Sequence, residues 1–358
     1  MTEQVLAEIL TKYKDTYLGE DYVTLGAVKI LSPVATDDKV GETPTIEISL
    51  PYPMAIAREV IGKKLTEHFH QHKVEKVNIT FKQEIVSLNP RPQTKHQTPQ
   101  LQQVKNIIAV SSGKGGVGKS TISFFLAKSL SQLGAKVGLL DADIYGPSQP
   151  HLLQSKADMQ SIVGKDNTMN PIMSAGIKTM SLRYLLDDNK TPAIWRGAMA
   201  SNALQQMVFS TNWGELDYLI VDMPPGTGDI QLTLCQRVAL SAAIIVTTPH
   251  QLAVIGAEKG IEMFNKLYVP ILGVIENMSY YVCPGCSEKH YPFGRGNSKK
   301  LIEEAGILAE LPISADYNDG SQPPDSTTKT WQDLSFSICL ELSKLSINKV
   351  PEILVAND

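Results

Sequence analysis

From residue 106 onward, short apolar runs alternate with longer stretches of helical spacing. The runs are continuous rather than alternating, as is typical of strands buried on both faces of a parallel sheet. This alternation predicts an α/β domain in which a mostly parallel sheet carries helices on both faces. The predicted strands are Ile107–Val110, Val137–Leu140, Leu219–Val221, Ala243–Thr247 and Ile271–Ile275. Ligands of such domains bind beyond the carboxyl ends of the strands, so the chemistry is expected there.

The first 88 residues follow a different pattern. Apolar residues recur at helical spacing from Val5 to Tyr13 and again from Ala57 to Leu65. Between and after these stripes, apolar and polar residues alternate at Ile46–Leu50 and Val77–Phe81, which predicts half-buried strands. We therefore expect residues 1–88 to form a small α+β accessory domain.

Residues 89–105 separate the two patterns. Pro90, Pro92 and Pro99 disfavour regular structure, and the many glutamines leave little to bury. This composition predicts a linker, so that residues 106–358 form the larger domain.

Composition and charge narrow the class of protein. The net charge of −4 gives no electrostatic footprint for nucleic acid or for an anionic membrane, so neither is an expected partner. No apolar run reaches the roughly 18 residues of a membrane-spanning helix. The first residues lack the basic and then apolar pattern of a secretory signal. Four cysteines are too few for a disulfide framework, and a cytoplasmic protein fits best.

A glycine-rich loop follows the first predicted strand of the larger domain and precedes a helical stretch. Strand, loop and helix are the context of a phosphate-binding loop, whose backbone N–H groups surround phosphate oxygens at a helix N-terminus. In this context Lys119 is expected to contact the β- and γ-phosphates of ATP, and the Ser120 hydroxyl to ligate Mg²⁺. The residues predicted to bind the nucleotide are Gly113, Lys114, Gly115, Gly116, Val117, Gly118, Lys119, Ser120 and Thr121.

Acidic residues follow two of the other strands. Asp141 and Asp143 are two apart on an extended segment, so both carboxylates can face the loop. We expect Asp143 to position the attacking water and Asp141 to support the lysine and the metal ion. Asp222, at the end of another apolar strand, is expected to be a second Mg²⁺ contact. Asn277, after the last strand, is a candidate for reading the adenine edge.

A Cys-x-x-Cys pair lies further along the chain. Cys283 and Cys286 supply two thiolates, and His290 follows four residues later. Two chains meeting on a two-fold axis would supply four thiolates, as a 4Fe–4S cluster requires. Structural zinc held by the two cysteines, His290 and a ligand from a partner remains an alternative, as does a thioredoxin-like redox pair. Cys235 and Cys339 lie in apolar stretches and are expected to be buried.

Several segments together resemble the Mrp/ApbC family of iron–sulfur cluster carrier ATPases. The segments are GKGGVGKST, DADIYGPS, WRGAM, DMPPGTGD and ENMSYYVCPGC, and the match runs from about residue 104 to residue 325.

The resemblance implies an ATPase that binds a 4Fe–4S cluster across a homodimer, through the Cys-x-x-Cys motif, and passes it to apo-proteins. Cluster scaffold proteins are implied as further partners. It also implies that Lys114 crosses to the phosphates of the partner subunit, as an arginine finger does. The alternative is a spatial regulator or scaffold of the related partitioning ATPases, with structural zinc at the cysteines.

Overall fold

The computed structural model of the chain describes residues 3–30, 43–88, 99–155, 161, 164, 168–185, 197–317 and 325–347. The chain divides into two compact units, one of Met1–Val86 with Cys339–Asp358 and the other of Ser87–Ile338. In the part of the chain that is described, no helix is both long and apolar enough to cross a membrane.

In the first unit, the described residues up to Val86 form a three-stranded sheet and two helices, one before the first strand and one between the second and third strands. The helices are α1 (Glu3–Thr11) and α2 (Met54–Gln71), and the strands are β1 (Val28–Ile30), β2 (Thr45–Leu50) and β3 (Asn78–Gln83). Strand β2 pairs antiparallel with β1 and parallel with β3. The alternating apolar residues of β2 are fully buried, as is the helical stripe of α2. The small α+β domain predicted from these two periodicities is confirmed.

A buried carboxylate organises the loop between α1 and β1. Asp15 accepts hydrogen bonds from the hydroxyls of Tyr22 and Tyr52, at 2.5 and 2.7 Å. Its other oxygen accepts from the backbone N–H groups of Tyr17 and Leu18. Burial, followed by the charge of Asp15, raises the pKa of both Tyr22 and Tyr52, so both phenols remain neutral donors. The network therefore fixes this loop against the end of β2.

The second unit is built on a nine-stranded sheet. Its strands run in the order β11-β10-β9-β4-β8-β5-β7-β6, and β12 pairs with β10 on a separate branch. All pairs are parallel except those that join β6 to β7 and β11 to β10. The strands are β4 (Val104–Ser112), β5 (Val137–Asp141), β6 (Ile172–Ser174), β7 (Ile177–Met180), β8 (Leu216–Asp222), β9 (Ala242–Thr247), β10 (Ile271–Val282), β11 (Lys289–His290) and β12 (Ile307–Pro312).

Helices cover both faces of this sheet. Every residue of β5, β8 and β9 is buried, which requires packing against each face. The helices are α3 (Pro99–Gln102), α4 (Lys119–Gln132), α5 (Gln149–Leu152), α6 (Gly197–Phe209), α7 (Asp229–Arg237), α8 (Gln251–Lys266), α9 (Lys299–Ala305) and α10 (Asp325–Ile347). The five strands predicted from apolar runs all lie inside observed strands, and the mostly parallel α/β fold is confirmed.

The structure differs from the sequence-based prediction in the linker and in the last helix. The predicted linker contains the short helix α3 and the start of β4, while its residues 89–98 lie outside the described part. Helix α10 continues past the second unit, because its residues from Cys339 onward pack with the first. There Cys339 is fully buried, and the Ser343 hydroxyl donates to the Pro51 carbonyl at 3.1 Å. The sequence pattern had placed this segment in the larger domain.

Helix α8 touches the backbone of the glycine-rich loop. A Cβ atom added to Gly113 would lie 1.9 Å from the carbonyl carbon of Gly256. A Cβ atom added to Gly256 would lie 2.9–3.0 Å from the backbone of Gly113. Two glycines are therefore needed for this close approach, one in the loop and one in the middle of a helix.

Replacing Gly256 by alanine should disturb the loop. Since the new methyl group meets backbone rather than a flexible side chain, we expect the free energy of unfolding to fall by about 1–3 kcal/mol and the affinity for ATP to fall with it. Gly260→Ala is the matched control on the same helix, because its Cβ meets only Ile245 Cδ1, at 4.0 Å. That control should be neutral or stabilising by up to about 1 kcal/mol. Equal effects of the two variants in urea unfolding and nucleotide titration would contradict the argument.

Candidate functional site

The glycine-rich loop connects β4 to α4. Gly116 and Gly118 have φ values of 82° and 87°, in the left-handed region that favours glycine. Gly118 is the N-cap of α4, so the free N–H groups of the helix begin at the end of the loop. This is the geometry of an anion site, in which backbone donors and the helix dipole favour phosphate.

A buried ion pair lies beneath the loop. The Lys119 ammonium pairs with Oδ1 of Asp222, and the side chains are 6% and 0% exposed. The Ser123 hydroxyl donates to the same oxygen at 3.2 Å, while the Gln149 amide donates to Oδ2 at 2.7 Å. The Ser120 hydroxyl lies 3.5 Å from the Lys119 nitrogen. The lysine of the loop, the carboxylate of β8 and the start of α5 are thus joined in one network.

Asp141 lies in the same network without pairing with Lys119. Its Oδ2 accepts from the Gln149 backbone N–H at 3.1 Å and from the Ser181 hydroxyl at 3.2 Å. Burial, together with the neighbouring charge of Asp222, raises the pKa of the Asp141 carboxyl to about 8. The raised pKa favours the protonated form of this carboxyl, as expected where two buried carboxylates lie close together.

Asp143 occupies the more open side of the site. It is half-buried, and burial raises the pKa of its carboxyl. The positive charge of the nearby Lys119 opposes this shift but does not cancel it. The residue borders a cleft of about 590 Å³. Other residues lining this cleft are Tyr145, Pro224, Pro225, Gly228, Asp229 and Gln231. The structure therefore brings the three predicted carboxylates around one lysine and leaves Asp143 facing the cleft.

The loop after β8 is tied to the glycine-rich loop. The Gly226 N–H donates to the Ser112 carbonyl at 2.9 Å, and Gly226 has a φ of 95°. The Gln231 amide donates to the Pro224 carbonyl, which fixes the other end of the loop to α7. The Ser112 hydroxyl donates to the carbonyl of Lys114, whose side chain is exposed.

Asn277 supports the glycine-rich loop from β10. The buried side-chain amide donates to the Val117 carbonyl at 2.9 Å. A Cβ atom on Gly118 would lie 2.2 Å from the same amide nitrogen, so the contact requires glycine there. The amide thus contacts the loop backbone, and the predicted contact with adenine stays a prediction.

The two cysteines of the motif lie in the turn between β10 and β11. Cys283, Cys286 and His290 each offer a ligand atom, and the three atoms lie within 4.8 Å of one another. Backbone N–H groups of Cys286 and Gly285, with the Cys286 thiol, lower the pKa of the Cys283 thiol. Cys286 and His290 are exposed and Cys283 is half-exposed, whereas Cys235 and Cys339 are buried as predicted. The turn therefore presents two accessible thiols, and the lowered pKa of Cys283 favours its thiolate form.

Gln149 and Gly256 are the residues of the site that the sequence reasoning missed. The Gln149 side-chain amide donates to Asp222 and, at 2.9 Å, to the Ser120 carbonyl. Neither a glutamine nor a glycine indicates a functional site by its residue type alone. A glutamine directly after a serine and before a proline marks a helix start, which was the one available signal. Trp195 and Arg196 of the WRGAM segment lie outside the described residues.

Replacing Gln149 by glutamate should destabilise the site. The change removes two donors and places another carboxylate beside Asp222 and Asp141, so we expect the free energy of unfolding to fall by about 1–3 kcal/mol. Gln206→Glu on the exposed face of α6 is the control and should leave stability unchanged. Urea unfolding and Mg-ATP titration measure the difference. Identical midpoints for the two variants would show that the Gln149 hydrogen bonds do not hold the network.

The sequence of the chain is similar to a known protein family and to named proteins. The protein-family model described as ParA, NUBPL iron-transfer P-loop NTPase, matches residues 103–338. The iron-sulfur cluster carrier protein of Pseudomonas fragi is 49% identical over 225 residues, which are 62% of this chain and 78% of that protein. The protein of the same name from Haemophilus influenzae is 40% identical over 311 residues, 86% of this chain and 80% of that protein.

A solved structure is similar over the larger unit. It is a nucleotide-binding protein from Archaeoglobus fulgidus, in complex with ADP and with cobalt found in it. Identity is 36%, the TM-score is 0.53, and the similarity covers 68% of this chain and 90% of that one. The family model covers more than half of the chain, and the chain belongs to the NUBPL-type iron-transfer P-loop NTPases, the family of the iron–sulfur cluster carrier proteins.

Proposed function

We propose that this protein is an ATP-dependent carrier that binds a 4Fe–4S cluster across a homodimer and transfers it to apo iron–sulfur proteins. The observation that carries the proposal is the turn after β10, where the thiols of Cys283 and Cys286 are accessible and adjacent. Accessible thiols suit a cargo that must be received and released, because a buried structural site would hinder both. The names of the relatives support the same function.

The number of thiols supports a dimer. A 4Fe–4S cluster takes four cysteine ligands, and one chain offers two at this turn. The other two cysteines are buried, and burial raises the pKa of Cys235 to about 12, which disfavours the thiolate that a metal requires. Two copies of the turn meeting on a two-fold axis would complete the ligand set.

We assign ATP hydrolysis to the network around Lys119. Lys119 and the loop N–H groups would hold the phosphates, and Asp143 would orient the attacking water from the cleft side. The hydroxyl of Ser120 and the carboxylate of Asp222 are hard oxygen donors that fit Mg²⁺, which would neutralise charge on the phosphates. Lys114 is exposed and therefore available to the phosphates of a partner subunit.

Strand β10 offers a route between the two sites. Asn277 contacts the glycine-rich loop, and the same strand continues to Val282, directly before Cys283. A change in the loop on ATP binding or hydrolysis would therefore reach the thiols through one backbone segment. Cluster scaffold proteins are the proposed donors and apo-proteins the recipients. The four free thiols are consistent with the reducing cytoplasm as the proposed location.

The cysteine assignment is tested by Cys283→Ser/Cys286→Ser. After anaerobic reconstitution, the unchanged protein should hold about one cluster per two chains and show its broad visible absorption. The double variant should hold none, while its affinity for ATP stays unchanged, because the turn lies outside the loop. Cys235→Ala/Cys339→Ala removes the same number of thiols and should still assemble the cluster. Full assembly by the first variant would end the proposal.

The trans role of Lys114 is tested by mixing two inactive variants. Lys114→Ala should lower ATP turnover by about 10³-fold or more if the lysine acts as an arginine finger does. Asp143→Ala should bind ATP without hydrolysing it. In a mixed dimer, the Lys114→Ala chain keeps its own Asp143 and receives Lys114 from its partner.

Mixing should therefore restore part of the turnover that each variant lacks alone. If Lys114 instead serves its own nucleotide, the mixture stays as inactive as its components. Turnover is measured as phosphate release, and the dimer by light scattering with and without ATP.

A further inference from the structure

His290 lies beside the two thiols because of the register of the hairpin. Strands β10 and β11 pair antiparallel, with Tyr281 opposite His290 and Val282 opposite Lys289. Alternate residues of a strand point to the same face, so Tyr281 and Cys283 share a face, and His290 shares it with them. The Cys283 N–H donates to the Glu288 carbonyl at 3.0 Å, which continues the hairpin up to the first cysteine.

The turn itself brings the second thiol to the same place. The Ser287 N–H donates to the Cys283 carbonyl at 2.8 Å, and Ser287 has a φ of 60°, in the left-handed region. The chain thus reverses within four residues and returns Cys286 toward the first cysteine. Lys289 lies with its ammonium 4.0 Å from the centre of the Tyr280 ring, on the other face of the hairpin from His290. Its positive charge is therefore directed away from the thiols.

The spacing of the ligand atoms fits a single ion. A tetrahedral ion with metal–sulfur bonds of about 2.3 Å and a metal–nitrogen bond of about 2.0–2.1 Å holds sulfur and nitrogen about 3.5 Å apart. Cys286 Sγ and His290 Nε2 are 3.7 Å apart. All three ligand atoms lie within 4.8 Å of one another, so a small rotation of side chains at an exposed turn closes the remaining difference.

We propose that His290 is a third metal ligand, and that Cys283, Cys286 and His290 of a single chain bind one divalent transition-metal ion. Two thiolates and one imidazole suit zinc or ferrous iron, and they leave the fourth tetrahedral position open to solvent or to another protein. The inference rests on the proposed function, because it concerns the same pair of thiols. It adds that one chain, before it meets a second, already holds a metal ion.

The two states use the thiols differently. A cluster between two chains takes its four ligands from cysteines and leaves His290 unused. A single ion in one chain lacks the second pair of thiols and takes the imidazole instead. His290 should therefore matter for the single ion and matter little for the amount of assembled cluster.

Cobalt is a suitable probe, because Co²⁺ takes tetrahedral zinc sites and its visible and near-ultraviolet bands report geometry and thiolate ligation. The metal-free, reduced full-length protein is titrated anaerobically with Co²⁺. We expect one ion per chain, with visible bands of tetrahedral cobalt and a thiolate charge-transfer band. His290→Ala should weaken binding by about 100-fold and change the visible bands, since even the loss of a group that only orients a ligand costs 10–100-fold.

Two further variants make the result specific. His290→Cys restores a soft ligand and should recover most of the affinity, with a stronger charge-transfer band. His70→Ala changes an exposed histidine of the first unit and should leave the titration unchanged. Unchanged affinity and spectrum in His290→Ala would overturn the proposal, as would a stoichiometry of one ion for two chains.

The same variants separate this inference from the proposed function. If His290→Ala binds Co²⁺ as the unchanged protein does but Cys283→Ser/Cys286→Ser loses the 4Fe–4S cluster, the third ligand is wrong and the carrier function stands. If His290→Ala loses the single ion and Cys283→Ser/Cys286→Ser keeps the cluster, the single-chain site stands and the carrier assignment fails.

Discussion

The buried pair between Lys119 and Asp222 is the interaction on which the nucleotide site depends. Removing two charges from water costs several kcal/mol for each, and the pair is stable only if the remaining hydrogen-bonding capacity is satisfied. Ser123 and Gln149 satisfy the two oxygens of Asp222. On the proposed function, phosphate oxygens compete with Asp222 for the Lys119 ammonium. The carboxylate would then be left to Mg²⁺, at the start of the loop that Gly226 ties to Ser112.

The raised pKa of Asp141 also depends on how much negative charge this buried site can hold. Asp141 and Asp222 end neighbouring strands and are paired in register across them. Two full negative charges at this depth would be unfavourable, and burial, together with the charge of Asp222, raises the pKa of Asp141 accordingly. The Asp141 carboxyl accepts the hydrogen bonds of the Gln149 backbone N–H and the Ser181 hydroxyl through one of its oxygens. Asp141 thereby holds the first residue of α5, while the Lys119 ammonium pairs with Asp222.

Local patterns predicted the parts of the fold that are encoded locally. Continuous apolar runs identified β4, β5, β8, β9 and β10, because burial on both faces leaves no polar positions in a strand. The glycine-rich loop and the cysteine motif were equally clear, since each requires fixed residue types at fixed spacing. Gln149 and Gly256 could not be predicted, because their roles arise from contacts with residues distant in the sequence. The division of α10 between two units depends on such contacts as well, and neither helical periodicity nor composition reports them.

Strand β10 shows how the two sites are joined. Asn277 lies in β10, and Cys283, six positions further along the chain, directly follows the last residue of that strand. Between them, Met278 has a φ of 56°, and the pairing with β12 shifts register between Glu276 and Tyr280. A non-glycine residue in that conformation stores roughly 1–3 kcal/mol, and it persists where the surroundings hold it. One of its neighbours is Asn277, which holds the nucleotide loop. On the proposed function, a movement of that loop on ATP binding would reach the strained position first, and from there the strand that carries the thiols.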